Sequence, residues 1–315
     1  MTTVLEATVL ETIKAGAKQL TDAKVAFGHG TANAFDEAAW LVLWKMGLPL
    51  DSSLENPEKD PNSVANTSLS SDLIASIATL FIARIKTRKP AAYLTQEAWL
   101  QGIPFYIDER AIVPRSFIAE LLADGSFDDW LGSHTERVLD LCTGNGSLAV
   151  LAAMTYPETT VVGADISTDA LEVAKINVAK HSLQNRISLV ESDSWAGLKD
   201  ERNQALVFDL VLCNPPYVNS TSMAALPAEY LAEPALALAG GTDGMDFIRG
   251  LLQAAPAHMS EHAIMVLEIG NERAFFEAAF PDLEIFWLET SAGADSVLLI
   301  TKKALEDVFS PQIGN

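Results

Sequence analysis

The residues best suited to chemistry in this chain form the short stretch Asn214-Pro215-Pro216-Tyr217. Asn214 carries an amide oxygen with two lone pairs. A proline has no N–H and interrupts strand pairing, so the carbonyl groups of this stretch can face a ligand. Tyr217 adds a flat apolar wall with a polar tip. These groups can hold a planar group that carries an NH2, such as a carboxamide or a nucleobase amine, although a proline-terminated strand followed by a turn gives the same pattern.

Strands and a glycine-containing turn upstream are arranged to position this stretch. The apolar run at residues 206–213 predicts a buried strand that stops at the prolines. Residues 137–141 predict an earlier strand, which is followed by a turn at 142–147 and an apolar helix at 148–154. Strand, glycine turn and helix in this order bring the backbone close to a ligand at the helix N-terminus.

Two more predicted strands end in acidic residues. Residues 160–164 lead to Asp165, 25 residues after Asp140 (165 − 140), and residues 187–190 lead to Asp193. An acidic residue at about that spacing accepts the ribose hydroxyls in nucleoside-binding βαβ units. Strand ends that carry Gly, Asp, Asp and Asn fit a ligand crevice at the carboxyl edge of a parallel sheet.

This order of motifs resembles the class I S-adenosylmethionine-dependent methyltransferases. Asp140 with Thr143, Gly144 and Gly146 is similar to the family's first motif, and residues 214–217 are similar to its fourth, which is shared by enzymes that methylate adenine in DNA or glutamine amides in proteins. The flanks resemble the protein-glutamine N5-methyltransferases, in the branch that acts on ribosomal protein L3 (the PrmB type). Those flanking segments are Gly28-His29-Gly30-Thr31, Asp36-Glu37-Ala38, Ala92-Tyr93-Leu94-Thr95, Phe105-Tyr106-Ile107-Asp108-Glu109-Arg110 and Val113-Pro114-Arg115-Ser116.

The resemblance covers residues 25–301, with one departure. That branch usually has Ser-Gly-Cys where this chain has Asn145-Gly146-Ser147. The implied fold is α/β: a Rossmann-like, mostly parallel seven-stranded sheet with a small N-terminal helical domain and a hairpin connector. The expected boundaries are residues 1–95 for a helical substrate-recognition domain, 96–115 for the hairpin, 116–305 for the methyltransferase domain and 306–315 for a flexible tail.

Local patterns add expectations for the segments around the site. Apolar spacing that includes Val4 and Leu5 predicts that residues 2–48 are largely helical. A third helix at 73–88 ends in a basic run that includes Arg84 and Arg88, for which a solvated face is the favoured interpretation. Residues 218–233 predict a loop long enough to wall a substrate, and residues 238–244 predict a second, glycine-rich loop.

The resemblance also implies roles for individual residues. S-adenosylmethionine is the expected cofactor, with Asp165 accepting its ribose hydroxyls and Asp193 meeting its adenine amine. The expected cofactor-binding residues are Asp140, Cys142, Thr143, Gly144, Asn145, Gly146, Asp165, Ile166, Asp193, Ser194 and Asn214. The expected catalytic residues are Asn214, Pro215, Pro216 and Tyr217. No metal-ligand spacing occurs, so no metal is expected.

The composition and net charge favour some classes of binding partner over others. Of 315 residues, 49% are apolar, which is typical of a globular protein of about two domains. The net charge of −21 disfavours binding to duplex DNA, which needs Lys and Arg against phosphates. It suits a basic partner such as a ribosomal protein, and it is equally explained by solubility or a salt-adapted host. The two cysteines predict buried thiols, and the lack of a signal-peptide pattern or of an apolar run of about 18 residues predicts a cytoplasmic protein without membrane contact.

Other functions remain open at this point. Methylation of a glutamine in ribosomal protein L3 is the main hypothesis, and methylation of a peptide chain release factor is the close alternative. An adenine N6-methyltransferase and a non-catalytic ribosome-assembly factor are more distant ones. Arg115 fits an active-site border or a surface ion pair, and Trp195 fits an adenine contact or a core position. The pattern around His29 favours an exposed turn, whereas the resemblance implies a substrate contact as the alternative.

Overall fold

The computed structural model describes residues 7–55, 58–60, 62–132 and 134–309. The chain forms two compact units. The first comprises the residues up to Glu97 together with Pro227–Ala232, and the second comprises Ala98–Leu226 and the residues from Glu233 on.

The first unit is mainly helical. Its helices are α1 (Val9–Asp22), α2 (Ala34–Met46), α3 (Ser71–Thr87) and α4 (Ala91–Thr95), and its short strands β1 (Ala7–Thr8) and β2 (Ser68–Leu69) pair antiparallel. The first helix begins at Val9 because the Thr8 side chain accepts a hydrogen bond from the Glu11 N–H and the Glu11 carboxylate accepts one from the Thr8 N–H, a capping box. The predicted helical run from residue 2 is therefore wrong at residues 7–8; Val4 and Leu5 lie outside the described residues.

A buried ion network lies inside the first unit. Arg84 is 0% exposed and donates through Nε to Glu37 at 2.7 Å. Glu229 accepts from Arg84 at 3.4 Å and from Arg88 at 3.2 Å. The solvated basic face predicted for the end of α3 is thus wrong for Arg84, because two buried carboxylates compensate its charge.

The second unit contains the remaining strands and helices. The hairpin strands are β3 (Glu97–Leu100), whose first residue closes the first unit, and β4 (Ile103–Tyr106). The sheet strands are β5 (Arg137–Leu141), β6 (Thr160–Asp165), β7 (Ile187–Glu191), β8 (Phe208–Cys213), β9 (Met259–Glu268), β10 (Phe286–Thr290) and β11 (Gly293–Thr301). The helices are α5 (Ile118–Asp124), α6 (Ser147–Thr155), α7 (Thr168–Lys180), α8 (Ser220–Ala225), α9 (Asp246–Ala254), α10 (Arg273–Ala279) and α11 (Lys302–Phe309).

The seven-stranded sheet has the order β10-β11-β9-β8-β5-β6-β7. The five strands from β9 to β7 are parallel, and β11 and β10 add an antiparallel pair at one edge. This arrangement confirms the predicted mostly parallel sheet. Because β5 lies between β6 and β8, the turn after β5, Asp165 and Asn214 all reach the same edge of the sheet.

Both faces of the sheet are buried, which explains its continuous apolar strands. On β8, Val211 and Cys213 join the core on one face, whereas Leu210 and Leu212 join the core on the other. The last helix extends one of these cores through Leu305, which is 0% exposed. Residues 306–309, predicted as tail, therefore continue a helix, and residues 310–315 lie outside the described residues. No helix in the described part of the chain is long and apolar enough to cross a membrane.

Candidate functional site

A cavity in the second unit opens where the parallel strands end. It is lined by eight of the residues that the sequence predicted for the site: Cys142, Gly144, Asp165, Ile166, Asp193, Ser194, Asn214 and Pro216. They come from the turns after β5, β6, β7 and β8. The fold therefore brings residues that are distant in sequence together at one carboxyl edge, as expected for an open parallel sheet.

Asp140, near the end of β5, holds the turn after that strand through hydrogen bonds. Its Oδ2 accepts hydrogen bonds from the Thr143 hydroxyl at 2.5 Å and from the Ala149 N–H at 2.9 Å. Asp140 is buried beneath the cavity instead of lining it, and burial raises its pKa to about 7. Its Oδ1 is buried without a hydrogen-bond partner in the part of the chain that the structure describes.

Gly146 ends this turn in a conformation that favours glycine. Its φ is +79°, and a Cβ there would lie 3.0 Å from the Cβ of Ala174 on α7. Asn145 turns inward, where its side chain donates to the Ile112 carbonyl at 2.8 Å and accepts from the Ser147 N–H at 2.9 Å. Thr143, Asn145 and Gly146 thus shape the turn without lining the cavity.

Asp165 ends β6 and faces the cavity. Its Oδ2 accepts from the Gly144 N–H at 2.8 Å, and its Oδ1 accepts from the Ser167 N–H at 2.9 Å. Desolvation by burial raises its pKa, and these backbone donors oppose the increase. A carboxylate has about four lone-pair sites, so Asp165 keeps acceptor capacity for a ligand beside these backbone donors.

Two residues that line the cavity have unusual backbones. Cys142 has φ +63° and Ser194 has φ +50°, although neither is a glycine. The Ser194 hydroxyl is buried with no hydrogen-bond partner among the described residues. Such conformations cost about 1–3 kcal/mol each and concentrate at functional sites.

Some residues of the stretch after β8 line the cavity, and others lie in the protein interior. Asn214 and Pro216 line the cavity, and the Asn214 side chain makes no hydrogen bond to any described residue. Pro215 is buried and Tyr217 is half-buried, and neither lines the cavity. The Tyr217 hydroxyl donates instead to Oε1 of Glu268 at 3.4 Å.

Several lining residues were not predicted from the sequence. They are Arg110, Ala111, Ile112, Leu141, Ser167, Ala170, Ser192, Pro234, Leu236, Ala237 and Phe247. The wall at residues 234–237 falls between the two loops that were expected at 218–233 and 238–244. The available signal was Leu236, a large apolar residue outside every predicted element, which the structure leaves 60% exposed.

The structure also gives the positions of three residues whose roles the sequence left open. The Arg115 guanidinium forms a bidentate ion pair with buried Glu233, with both N–O distances at 2.7 Å. Trp195 is a core residue, since its indole N–H donates to the Leu251 carbonyl at 3.0 Å. His29 lies buried in the first unit, with its ring 4.3 Å from that of Tyr230, so the exposed turn was wrong.

Comparison with known proteins gives close relatives. Residues 121–241 match the family model described as methyltransferase small domain. Over 300 residues the chain is 47% identical to the ribosomal protein uL3 glutamine methyltransferase of Bordetella pertussis, covering 95% of this chain and 96% of that protein. The protein of the same name from Burkholderia pseudomallei is 47% identical over 308 residues, covering 96% of each. The one from Neisseria gonorrhoeae is 41% identical over 307 residues, covering 95% of each.

Proposed function

We propose that this chain transfers a methyl group from S-adenosylmethionine to the side-chain amide nitrogen of a glutamine in ribosomal protein uL3. The chain belongs to the family of ribosomal protein uL3 glutamine methyltransferases. The observation that carries the proposal is the position of Asn214. Its amide lines the cavity beside Asp165, and its hydrogen-bonding groups are not used by the described part of the protein.

The residues of the cavity fit the cofactor. Asp165 faces the cavity and keeps acceptor capacity for the ribose hydroxyls. The Ser194 hydroxyl, at a residue that lines the cavity, is buried without a hydrogen-bond partner among the described residues and offers a donor to the cofactor. The surplus of carboxylates, with Asp193 also on the wall, suits a cationic ligand. When bound, S-adenosylmethionine supplies a methyl group on a positively charged sulfur.

The residues after β8 would hold the accepting amide. An amide nitrogen is a poor nucleophile because its lone pair is delocalised into the carbonyl group. The Asn214 side-chain oxygen and the Pro215 carbonyl would each accept one of its N–H bonds and so fix the nitrogen. These acceptors also stabilise the positive charge that develops on nitrogen during transfer. The methylated amide is strongly acidic, so its extra proton leaves without a dedicated base.

Charge supports a basic protein as the partner. The second unit carries 12 Lys and Arg against 30 Asp and Glu, a net charge of −18, whereas the first unit carries 9 against 12, a net of −3. A strongly acidic catalytic unit repels nucleic acid and attracts a basic protein. We therefore place the reaction in the cytoplasm, on free uL3 or on an assembly intermediate, and away from duplex DNA and membranes.

A competition assay tests this function. Equal amounts of free uL3, uL3 in a pre-ribosomal particle, a release factor and duplex DNA are incubated with the enzyme and methyl-labelled S-adenosylmethionine. We expect label mainly on a glutamine of uL3, with little on the others. Label mainly on the release factor would assign the chain to the sister activity, and label on DNA would overturn the charge argument. No label on any substrate would favour a non-catalytic assembly factor.

A further inference from the structure

Tyr217 is held on two sides by the end of β9 and the residues that follow it. Its hydroxyl donates to Glu268, the last residue of that strand, at 3.4 Å. Its ring lies against Gly270, where a Cβ would be 2.5 Å from the ring atom Cε2. Real Cβ atoms do not approach that closely, so the glycine at 270 leaves the space that the ring occupies.

Glu268 is a buried acid that the proposed mechanism does not use. It is 2% exposed, and its second oxygen, Oε2, accepts from the Ser116 hydroxyl at 2.6 Å and from the Phe117 N–H at 2.9 Å. Every one of these contacts, including that of Tyr217, is made by a donor. The site is thus built for the ionised carboxylate, since a protonated carboxyl has fewer lone pairs to offer.

We propose that Glu268 is a positioning residue for this reaction: its carboxylate fixes the hydroxyl of Tyr217, so that full turnover requires Glu268 to be ionised. The inference rests on the proposed function, because Tyr217 is placed beside the substrate amide only by that function. Tyr217 directly follows the two prolines of the catalytic stretch. An error in the position of its ring is transmitted to Asn214 through the rigid prolines, and small displacements of catalytic groups are costly.

The surroundings of Glu268 place its titration in the neutral range. Burial raises its pKa from 4.5 to about 7, while Ser116, the backbone N–H groups of Phe117 and Ile118, and the charge of Arg115 oppose the increase. Among the described residues, the charge of Arg115 and the titratable hydroxyl of Tyr217 face it. Turnover should therefore rise about tenfold between pH 6 and pH 8, as the ionised fraction of such a group does.

Glu268→Gln tests the proposal, because glutamine has the size of glutamate but cannot ionise. We expect kcat at pH 8 to fall about 10- to 100-fold, the range for losing a hydrogen bond to a charged group, and the rise between pH 6 and pH 8 to disappear. The affinity for S-adenosylhomocysteine should stay within about twofold of the wild type, since neither Glu268 nor Tyr217 lines the cavity. Glu277→Gln, at an exposed glutamate, is the matched control and should behave as wild type.

Tyr217→Phe tests the same contact from the other partner. It should lower kcat by a similar factor, and the double variant should be no worse than either single one, because both remove one interaction. Carbon-13 NMR of labelled glutamate carboxyls gives a readout without substrate. The signal absent from Glu268→Gln should titrate near neutral pH in the wild type and at higher pH in Tyr217→Phe, because a donor to the carboxylate is lost.

The outcomes separate this proposal from the proposed function. Failure of the wild type to label uL3 would refute the function, and the NMR titration would still test the contact. An active wild type whose pH dependence survives Glu268→Gln would refute the proposal. So would a Glu268 carboxyl that titrates like a surface glutamate, or a Tyr217→Phe variant with wild-type kcat and an unchanged Glu268 titration.

Discussion

Replacing Asn214 by alanine separates catalysis from folding in this site. The side chain lines the cavity and makes no hydrogen bond to any described residue, so its removal should leave the melting temperature unchanged. If it accepts an N–H of the substrate amide, its loss removes one preorganised contact to the developing charge. Such a loss typically lowers kcat about 10²–10³-fold, which corresponds to about 2.7–4 kcal/mol.

The assay for Asn214→Ala combines turnover on uL3 with calorimetric binding of S-adenosylhomocysteine. We expect the large loss in kcat and nearly unchanged cofactor affinity. Asn219→Ala is the matched contrast, because Asn219 accepts from the Ser222 N–H at 2.9 Å, which caps α8, and donates to Glu272 at 2.8 Å. Asn219→Ala should lower the free energy of unfolding by about 1 kcal/mol and the melting temperature by roughly 2–4 °C. Near wild-type turnover of Asn214→Ala, or a loss of affinity as large as the loss in kcat, would refute the assignment.

Three further changes test the rest of the site. Asp165→Ala should weaken S-adenosylhomocysteine binding by at least about tenfold, since each charge-assisted hydrogen bond contributes roughly 1.5–3 kcal/mol; unchanged affinity by calorimetry would rule out the ribose assignment. Arg115→Ala leaves the buried Glu233 carboxylate without its guanidinium and should lower the free energy of unfolding in urea by about 3–5 kcal/mol. Lys303→Ala, at an exposed pair, should leave that free energy nearly unchanged. Burial raises the pKa of Asp140 from 3.8 to about 7, so its contribution to stability is complete below about pH 4 and is lost as pH rises towards 7. Asp140→Asn should therefore reduce the pH dependence of the free energy of unfolding between pH 4 and 7. The same pH dependence in the variant and the wild type would contradict the raised pKa of Asp140.

The sequence was sufficient to predict the sheet and the residues at its edge. Apolar strands bounded by glycine, aspartate and proline are local signals, and parallel topology brings their carboxyl ends together. Asp165 and Asn214 therefore met at one cavity although neither is near the other in the chain. Element boundaries shifted by one to a few residues where capping groups set them, as at Thr8.

Contacts between side chains that are distant in sequence could not be predicted from the sequence. The burial of Arg84 depends on Glu229, which lies 145 residues further along the chain. The interior position of Trp195 depends on a carbonyl of α9, and that of Tyr217 depends on Glu268 at the end of β9. Each of these side chains looks amphipathic in sequence, and only the partner decides whether its polar atom is satisfied inside the protein.

Arg115 shows how such a pairing gives meaning to a residue that the sequence left undecided. Its partner Glu233 also accepts a hydrogen bond from the Val113 N–H at 2.9 Å, so one buried carboxylate ties residues 113–115 to the start of the cavity wall. Pro234 follows directly, and its rigid backbone carries that constraint into Leu236 and Ala237, which line the cavity. The two interpretations of Arg115, ion pair and border of the active site, are therefore compatible with one arrangement. We infer that the ion pair helps to hold the wall of the site from outside the cavity.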